Sequence, residues 1–293
     1  MPWRLYLTLC KPRIGVMIML TAVVAYLAVA PHVSGPQLAA LALAMLLGSA
    51  SSSVFNHFWD RDIDRLMART KSRPLATGAL VQTPERALWF AAVLMVAGVG
   101  LAAAALNWVA AAHLFLGIFF YGIVYTVWLK RRTWWNIVIG GAAGSFAVLA
   151  GAAAADPSVW LLPWLMATTL FLWTPSHFWA LAILLKDDYA QAKVPMLPCL
   201  VGDARCSKAI LVNSLLLVVS VFIPAALGEL GLIYTLVAGG FSARFLWQSW
   251  RLCQDPSRDQ ARRVFLGSMV FLSGLFLAVL ADRHLPGLLE GVF

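Results

Sequence analysis

Long apolar stretches of about 20 residues recur along this chain, separated by short polar breaks. A stretch of that length spans a bilayer as an α-helix, whereas a membrane-spanning β-strand would be about half as long and would alternate apolar with polar residues. Composition agrees, since 61% of the residues are apolar and only 12% are charged. The sequence therefore predicts an all-α integral membrane protein and excludes both a soluble globule and a disordered chain. Nine spans are predicted, at about residues 14–33, 38–58, 86–106, 108–129, 135–155, 160–184, 209–228, 230–249 and 264–281.

Basic residues are confined almost entirely to alternate connections between the predicted spans. Of the 22 Lys and Arg residues, all except Arg283 lie in the N-terminal segment, in the loops after spans 2, 4, 6 and 8, or, for Arg86 and Arg244, in the span ends that adjoin those loops. The positive-inside rule makes this face cytoplasmic, so the N-terminus is predicted inside and the C-terminus outside. The net charge of +9 then reflects topology and anionic lipid, and no nucleic-acid partner is expected.

The first span has some features of a signal peptide. It follows Lys11 and Arg13 and ends at Ala28-Val29-Ala30, a small-x-small pattern. Its apolar stretch is longer than the usual core of a signal peptide, so we expect it to be retained as a transmembrane helix.

A polar cluster lies at the predicted cytoplasmic end of span 2, where Asn56, Asp60 and Asp64 are four residues apart. On an α-helix such positions advance by about 40° per step, which puts one amide and two carboxylates on one face. Crowded carboxylates repel unless a cation lies between them, and the basic run at residues 65–73 suits a polyanion. Mg²⁺ that bridges the carboxylates to phosphate oxygens would satisfy both groups. Asp62, in contrast, is interpreted as the solvated partner of a neighbouring Arg.

A second acidic cluster, Asp187 and Asp188, follows span 6. His177 lies eleven residues before Asp188, about three helical turns, so the two would share a face if the helix continued between them. Adjacent Asp residues point about 100° apart and need not bind the same ion. We expect at least one of them to be a second metal ligand; the alternative is an acidic loop that neutralises Lys186 and Lys193.

The two clusters occupy equivalent places in two four-helix groups, at the inner end of the second helix of spans 1–4 and of spans 5–8, with span 9 additional. Such an arrangement predicts one membrane-embedded domain over residues 1–293, built from two similar halves that face each other across a cavity. Small residues near the first cluster and in span 5, among them Gly48 and Gly140, would allow the helices to pack closely.

The motif Asn-x-x-x-Asp-x-x-x-Asp at residues 56–64 resembles that of the UbiA superfamily of intramembrane prenyltransferases. Within that superfamily, strings over about residues 11–200 are similar to the branch that farnesylates heme b, and the last two of them favour heme over quinone substrates. The strings are Lys11-Pro12-Arg13-Ile14, the run from Asp60 to Pro74, Tyr125-Thr126 with Leu129-Lys130-Arg131, residues 136–144, His177-Phe178-Trp179-Ala180, and Asp187-Asp188-Tyr189 with Val194-Pro195-Met196-Leu197-Pro198.

The chain departs from the pattern of that branch at three places. Ser145-Phe146-Ala147-Val148 stands where a Pro pair is usual, Pro175-Ser176 stands where Pro-Pro is usual, and Lys193 replaces a common Gly. None of these changes removes a predicted metal ligand, but all three bear on the shape of the heme pocket.

The resemblance implies a helical bundle around a central cavity, in a bacterial inner membrane, with the active site on the cytoplasmic side. It also implies a reaction in which farnesyl leaves its diphosphate, joins the 2-vinyl group of heme b and is followed by water, which gives heme O. The partners implied are farnesyl diphosphate, heme b, membrane lipid and heme-pathway or oxidase-assembly proteins. The residues implied are Asn56, Asp60, Asp64, Asp187 and Asp188 for Mg²⁺; Arg69, Arg73, Lys130 and Arg131 for the diphosphate; and His177 for heme, through iron or a propionate hydrogen bond, with a purely structural role as the alternative.

Two other functions are compatible with parts of the sequence. A quinone-type or other aromatic prenyltransferase of the same fold would keep the metal site and change the acceptor pocket. A cation transporter would line a path with carboxylates, which predicts acidic residues deep inside the spans. The predicted spans contain almost none, so the transporter is the more remote alternative.

Overall fold

The computed structural model describes the backbone of residues 2–78 and 84–290 and the side chains of residues 3–78 and 84–285. The described residues form helices and turns and no β-strand, which confirms the all-α prediction. The α-helices are α1 (Pro2–Leu9), α2 (Pro12–Val29), α3 (Gly35–Trp59), α4 (Arg61–Asp64), α5 (Pro74–Thr77), α6 (Glu85–Ala105), α7 (Trp108–Phe119), α8 (Asn136–Gly140), α9 (Ala142–Ala155), α10 (Leu161–Leu184), α11 (Lys186–Gln191), α12 (Leu197–Val201), α13 (Asp203–Ala226), α14 (Leu232–Gln254) and α15 (Arg258–Glu290), and a π-helix, Phe120–Leu129, continues from α7.

Each predicted span coincides with a long helix or with two consecutive helical segments. In the described part of the chain, seven such segments are long and apolar enough to cross a membrane. Helices α10 and α14 have the length but contain more polar side chains, among them His177 in α10 and Gln248 in α14. The number of membrane crossings and the cytoplasmic N-terminus stay predictions.

One packing unit consists of Met1–Val159 with Asp187–Pro195. Within it, α3 packs against α2 and α6, and α9 packs against α2 and α7. The buried core between these helices is aliphatic apart from Tyr26. The Tyr26 hydroxyl donates to Gln37 Oε1 at 3.1 Å and accepts from the N–H of Ser34 at 3.2 Å, which ties the end of α2 to the start of α3.

Glycines permit close approach between helices of this unit. A methyl group at Gly151 in α9 would overlap the backbone of Ala22 in α2. Similarly, a methyl group at Gly48 would press on α7, and one at Gly140 would lie 2.7 Å from the ring of Tyr125. The predicted packing role of Gly48 and Gly140 is confirmed, in keeping with the small residues that line helix contacts in membranes.

The other packing unit consists of Trp160–Lys186 with Met196–Phe293. Here α10 and α14 each pack against both α13 and α15. Aromatic packing fills the space between α14 and α15, where the rings of Phe245 and Phe271 lie 5.1 Å apart. The four helices thus form a closed arrangement with its own core.

A proline interrupts α10 in this unit. Pro175 lacks the N–H that a helix interior needs. Asn213 on α13 donates through Nδ2 to the carbonyl of Leu172, in the preceding turn, at 2.7 Å, and to Ser176 Oγ at 2.8 Å. A side chain of the neighbouring helix thus supplies a hydrogen-bond donor to a backbone carbonyl near the proline. Backbone polar groups need such partners where the surroundings are apolar.

Buried hydroxyl groups join three helices of this unit. Ser176 Oγ on α10 lies 3.1 Å from Ser214 Oγ on α13, and Ser214 Oγ lies 3.0 Å from Ser249 Oγ on α14. All three residues are 0% exposed. Ser176 stands at one of the departures from the family pattern, and its hydroxyl contributes to interhelical hydrogen bonding.

The boundary between the two units differs from the boundary between the predicted halves. Helices α8 and α9, which correspond to the first span of the predicted second half, pack with the first unit because α9 lies against α2 and α7. The internal repeat of spans 1–4 and 5–8, and the treatment of residues 1–293 as one domain, stay predictions.

We expect Gly151→Ala to destabilise the protein by about 1–3 kcal/mol, because the added methyl group overpacks the contact between α2 and α9. The matched control is Gly100→Ala on α6, where a methyl group meets nothing within 4 Å. The measurement is the thermal midpoint of the purified protein in detergent. Equal midpoints for the two variants would contradict the close contact.

Candidate functional site

The polar motif of residues 56–64 lies where α3 ends. The helix stops at Trp59, yet the N–H of Asp60 donates to the carbonyl of Asn56 at 2.9 Å and that of Asp64 to the carbonyl of Asp60 at 2.8 Å. The four-residue spacing is therefore kept across the break. Asn56, Asp60 and Asp64 are 3%, 0% and 1% exposed, whereas the side chain of Asp62 is 62% exposed.

Asp60 is paired with a lysine from a distant segment. Lys130 forms a salt bridge with Asp60 Oδ2, and Asn56 Nδ2 donates to the same oxygen at 2.7 Å. Lys130 is itself 8% exposed, so both charges are removed from water. A buried carboxylate without such a partner would cost several kcal/mol, which makes this pair a condition of the local fold.

Asp64 and Asn56 have cationic partners of their own. Arg73 donates from one guanidinium nitrogen to both oxygens of Asp64, at 2.8 and 2.7 Å. Lys11, which precedes α2, donates from Nζ to Asn56 Oδ1 at 2.9 Å. The sequence analysis predicted Arg73 beside this motif, but it treated Lys11 only as a topological charge and as part of a family string.

The π-helix positions two further groups beside the motif. Thr126 Oγ1 donates to the carbonyl of Tyr121 at 2.8 Å and accepts from Asn56 Nδ2 at 3.2 Å, and the N–H of Lys130 reaches the carbonyl of Tyr125 at 2.8 Å. The bonds from Thr126 to Tyr121 and from Lys130 to Tyr125 each span five residues, whereas an α-helical bond spans four. π-Helical turns are rare in proteins, and those that occur are often at functional sites. Sequence reasoning missed the contact of Thr126, since nothing in an apolar stretch distinguishes a π-helix from an α-helix.

The cations crowd one another in this cluster. Burial, and to a smaller extent the charges of Arg73 and Lys130, lower the pKa of Lys11 to about 7. A polyanion bound here would relieve the repulsion among the cations.

Arg131 joins the outer edge of the cluster. Its guanidinium holds both oxygens of Asp62, at 2.6 and 2.7 Å, and it approaches Asp60 Oδ1 at 3.5 Å. The hydrogen bond from Arg131 lowers the pKa of Asp62, and the same bond raises that of Arg131. Asp62 is thus the partner of an arginine, but of Arg131, 69 positions away, rather than of an arginine that neighbours it in sequence.

Asp188 contacts the loop that follows the motif. Its carboxylate accepts the backbone N–H groups of Ala68, at 3.0 Å, and Arg69, at 3.3 Å. Asp187, the residue before it, is exposed, and so is Arg69. Lys186 pairs with Asp203 at 2.9 Å. The acidic pair predicted as a second metal site thus includes one residue that holds the loop carrying Arg69 and Arg73.

The donor set fits Mg²⁺ that is shared with a phosphate group. No three His, Cys, Asp or Glu side chains in the described ranges are close enough to enclose a metal by themselves. Two aspartates and an amide do converge, however, and the buried Oδ1 of Asp60 has no hydrogen bond. Mg²⁺ in proteins is commonly held by one or two carboxylates, with water and substrate phosphate supplying the other ligands.

His177 lies in the other packing unit. It is half-buried on α10, stacked on Trp173 with ring centroids 4.3 Å apart, and its Nδ1 is 2.7 Å from Ser268 Oγ on α15. The structure thus brings Asn56, Asp60, Asp64, Arg73 and Lys130 together within one unit, and within the other unit it surrounds His177 with aromatic rings.

Solved structures with a similar fold are prenyl-transfer proteins of membranes. The chain matches a structure described as a digeranylgeranylglyceryl phosphate synthase with a TM-score of 0.78 and 19% identity, over 96% of this chain and 98% of that one. It matches a UbiA homolog from Archaeoglobus fulgidus, bound to GPP and Mg²⁺, with a TM-score of 0.68 and 18% identity. This match covers 94% of this chain and 99% of that one. At these identities the likeness shows the fold alone.

Relatives identified by sequence are closer. A protoheme IX farnesyltransferase 1 of Paramagnetospirillum magneticum is 58% identical over 97% of this chain and 100% of its own length. A protoheme IX farnesyltransferase of Granulibacter bethesdensis is 41% identical over 95% of this chain and 90% of its own length. The sequence model of the UbiA prenyltransferase family matches residues 17–277. The chain therefore belongs to the UbiA prenyltransferase family, as the motif at residues 56–64 led us to expect.

Proposed function

We propose that this protein is a Mg²⁺-dependent protoheme IX farnesyltransferase. It transfers the farnesyl group of farnesyl diphosphate to the 2-vinyl group of heme b, water adds, and heme O and diphosphate are released. The observation that carries the prenyl-transfer part is the buried set of Asn56, Asp60 and Asp64 with a cation on each member. The choice of heme as acceptor is supported by the names of full-length relatives at up to 58% identity.

The first chemical step is electrostatic. The bond between farnesyl C1 and the diphosphate oxygen breaks, and its electron pair leaves with the diphosphate. Mg²⁺, when bound, would neutralise the charge that develops on the diphosphate. Asn56, Asp60 and Asp64 would hold the metal. Cationic side chains fixed beside the leaving group stabilise it further, because they need no reorganisation at the moment of reaction.

The cations that neutralise the buried carboxylates can also bind the diphosphate of the substrate. Lys130 and Arg73 are bonded to Asp60 and Asp64 in the structure without ligand. Lys130 and Arg73 could turn from the carboxylates to the diphosphate once Asp60 and Asp64 hold the metal, so that no charge would be left buried without a partner. Lys11, on Asn56, can take part in the same exchange.

Two further arginines have proposed contacts with the diphosphate. Arg69 is exposed in the loop that Asp188 holds, so its side chain has room to turn toward an anion. Arg131 is bonded to Asp62 and near Asp60, so its contribution requires that it loosen the contact with Asp62. We therefore assign the larger share of diphosphate binding to Lys130 and Arg73.

The later steps join the farnesyl group to the porphyrin. The electron-rich vinyl carbon attacks the allylic cation, and water then adds to the new carbocation beside the porphyrin ring and loses a proton. Apolar walls protect the first cation from early water. An aromatic precursor of quinones would use the same first step, but the names of the closely similar relatives do not favour it.

Membrane insertion follows from the apolar helices and the family. We propose that the protein lies in a bacterial inner membrane with Asp60 and Asp64 on the cytoplasmic side. The distribution of Lys and Arg along the sequence supports this orientation.

Asp187 and Asp188 have separate proposed roles. Asp188 bonds to two backbone N–H groups of the loop before Arg73, so its first role is to hold that loop in place. Asp187 is exposed beside it and is the member of the pair whose carboxylate we assign to a second metal contact.

We expect Asp60→Asn and Asp64→Asn each to lower kcat for heme farnesylation by at least about 100-fold, since each removes a charged metal ligand. Asparagine is chosen because it keeps the shape and leaves the facing cation a hydrogen-bond acceptor. Product formation is measured by chromatography of the porphyrins at saturating Mg²⁺.

The matched control is Asp62→Asn, whose carboxylate is exposed and bonded to Arg131. It should retain activity within about threefold, as expected for the loss of a surface ion pair. Turnover near that of the native protein in both Asp60→Asn and Asp64→Asn would contradict the metal assignment. Thermal midpoints of all three variants distinguish lost chemistry from lost folding.

We expect Asp188→Asn to loosen the loop over residues 67–73, because the carboxylate there accepts two backbone N–H groups. The measurement is the rate of trypsin cleavage after Arg69 and Lys71 in detergent without Mg²⁺ or substrate; Arg73 precedes Pro74 and is not a trypsin site. Cleavage should become several times faster in Asp188→Asn and stay near the native rate in Asp187→Asn. Equal rates in the two variants would contradict the division of roles.

A further inference from the structure

The imidazole of His177 is held between aromatic rings from two helices. Trp173, one turn earlier on α10, stacks on it with centroids 4.3 Å apart and an angle of 18° between planes, and Phe265 of α15 lies 4.8 Å away on a tilt of 32°. The ring therefore has one fixed plane. Its remaining freedom is the choice of which nitrogen carries the proton.

Ser268 decides that choice. Its hydroxyl lies 2.6 Å from the carbonyl of Phe265, three residues earlier on α15, and donates its single hydrogen there. The oxygen can then only accept from Nδ1 of His177, at 2.7 Å. Nδ1 therefore carries the proton, and Nε2 carries a lone pair. Trp173 adds a second tie, since its Nε1 donates to the carbonyl of Ser268 at 2.8 Å.

The unprotonated Nε2 has no hydrogen-bond partner among the described residues, and the ring is half-buried rather than enclosed. Its lone pair is therefore available to a ligand. Iron-binding histidines show the same pattern, in which the other ring nitrogen donates to a fixed acceptor and sets the tautomer. A porphyrin propionate would instead need a proton from Nε2, which this tautomer lacks.

We infer that Ser268 is a positioning residue that holds His177 in the Nδ1-protonated form and directs Nε2 to the iron of the acceptor porphyrin. This inference rests on the proposed function, which supplies heme b as the acceptor. Of the two heme contacts open from the sequence, iron ligation and a propionate hydrogen bond, the hydrogen bonds of Ser268 favour the first.

The test compares heme b with protoporphyrin IX, the same ring without iron. The full-length protein is purified in detergent as native, His177→Ala, Ser268→Ala and Ser268→Thr. Ser249→Ala is the matched control, because Ser249 is also 0% exposed and hydrogen-bonded between helices but does not touch His177. Affinities are measured by titration, and iron ligation is followed by the Soret band of ferric heme b.

Native protein should shift the Soret band and bind heme b more tightly than protoporphyrin IX. His177→Ala should abolish the shift, and added imidazole should restore it. Ser268→Ala should weaken heme b by about tenfold or more while leaving protoporphyrin IX unchanged, as loss of a group that orients a metal ligand does. Ser268→Thr, which keeps the hydroxyl, and Ser249→Ala should resemble the native protein.

Equal weakening of both porphyrins by Ser268→Ala would assign Ser268 a structural role only and overturn the inference. So would a Soret band that His177→Ala leaves unchanged. The proposed function is tested separately in the same preparations, by farnesyl transfer to heme b in the native protein. Transfer without iron ligation would overturn the inference alone, whereas no transfer to heme b would overturn the proposed function itself.

Discussion

Two carboxylates buried at the end of a membrane-spanning helix need a positive partner each, and the fold of the first packing unit meets that need. Asp60 and Asp64 are 0% and 1% exposed, and an unpaired charge at such a position costs several kcal/mol. Their partners come from other segments: Lys130 follows the π-helix, 70 positions after Asp60, and Arg73 lies 9 positions after Asp64. Lys11 adds a third contact from a left-handed turn with φ of 47°. The motif thus draws three segments together.

In the proposed reaction the same pairing serves both stability and chemistry. Oppositely charged groups that neutralise each other in the ligand-free protein would each find a new partner when a metal and the diphosphate bind. Removing one member leaves a cation without a counter-charge, so a change in this cluster affects folding and chemistry together. This coupling is why the substitutions proposed above conserve shape, and why their thermal midpoints have to accompany their rates.

Much of this architecture follows from the sequence. The length of the apolar stretches predicts the helices. The spacing of Asn56, Asp60 and Asp64 predicts that their side chains lie on one face, and backbone hydrogen bonds keep this four-residue spacing although α3 stops at Trp59. What the sequence did not predict depends on tertiary contact. The π-helix that brings Thr126 to Asn56 looks like any apolar stretch, and the bonds of Asp188 to a loop depend on backbone that no spacing rule describes. The partner of His177 was missed because a lone serine in a long apolar helix carries no signal.

The bond between Asp188 and the backbone of Ala68 joins residues 120 positions apart in sequence. A ribosome that has just finished the basic loop has not yet made the residue that holds it. The helices of the first unit can insert and pack early, but the loop with Arg69 and Arg73 acquires this anchor only after α10 has been synthesised as well. Contacts of such long sequence separation form late and slowly. During synthesis this loop, which we propose binds the diphosphate, is therefore made early and fixed in place late.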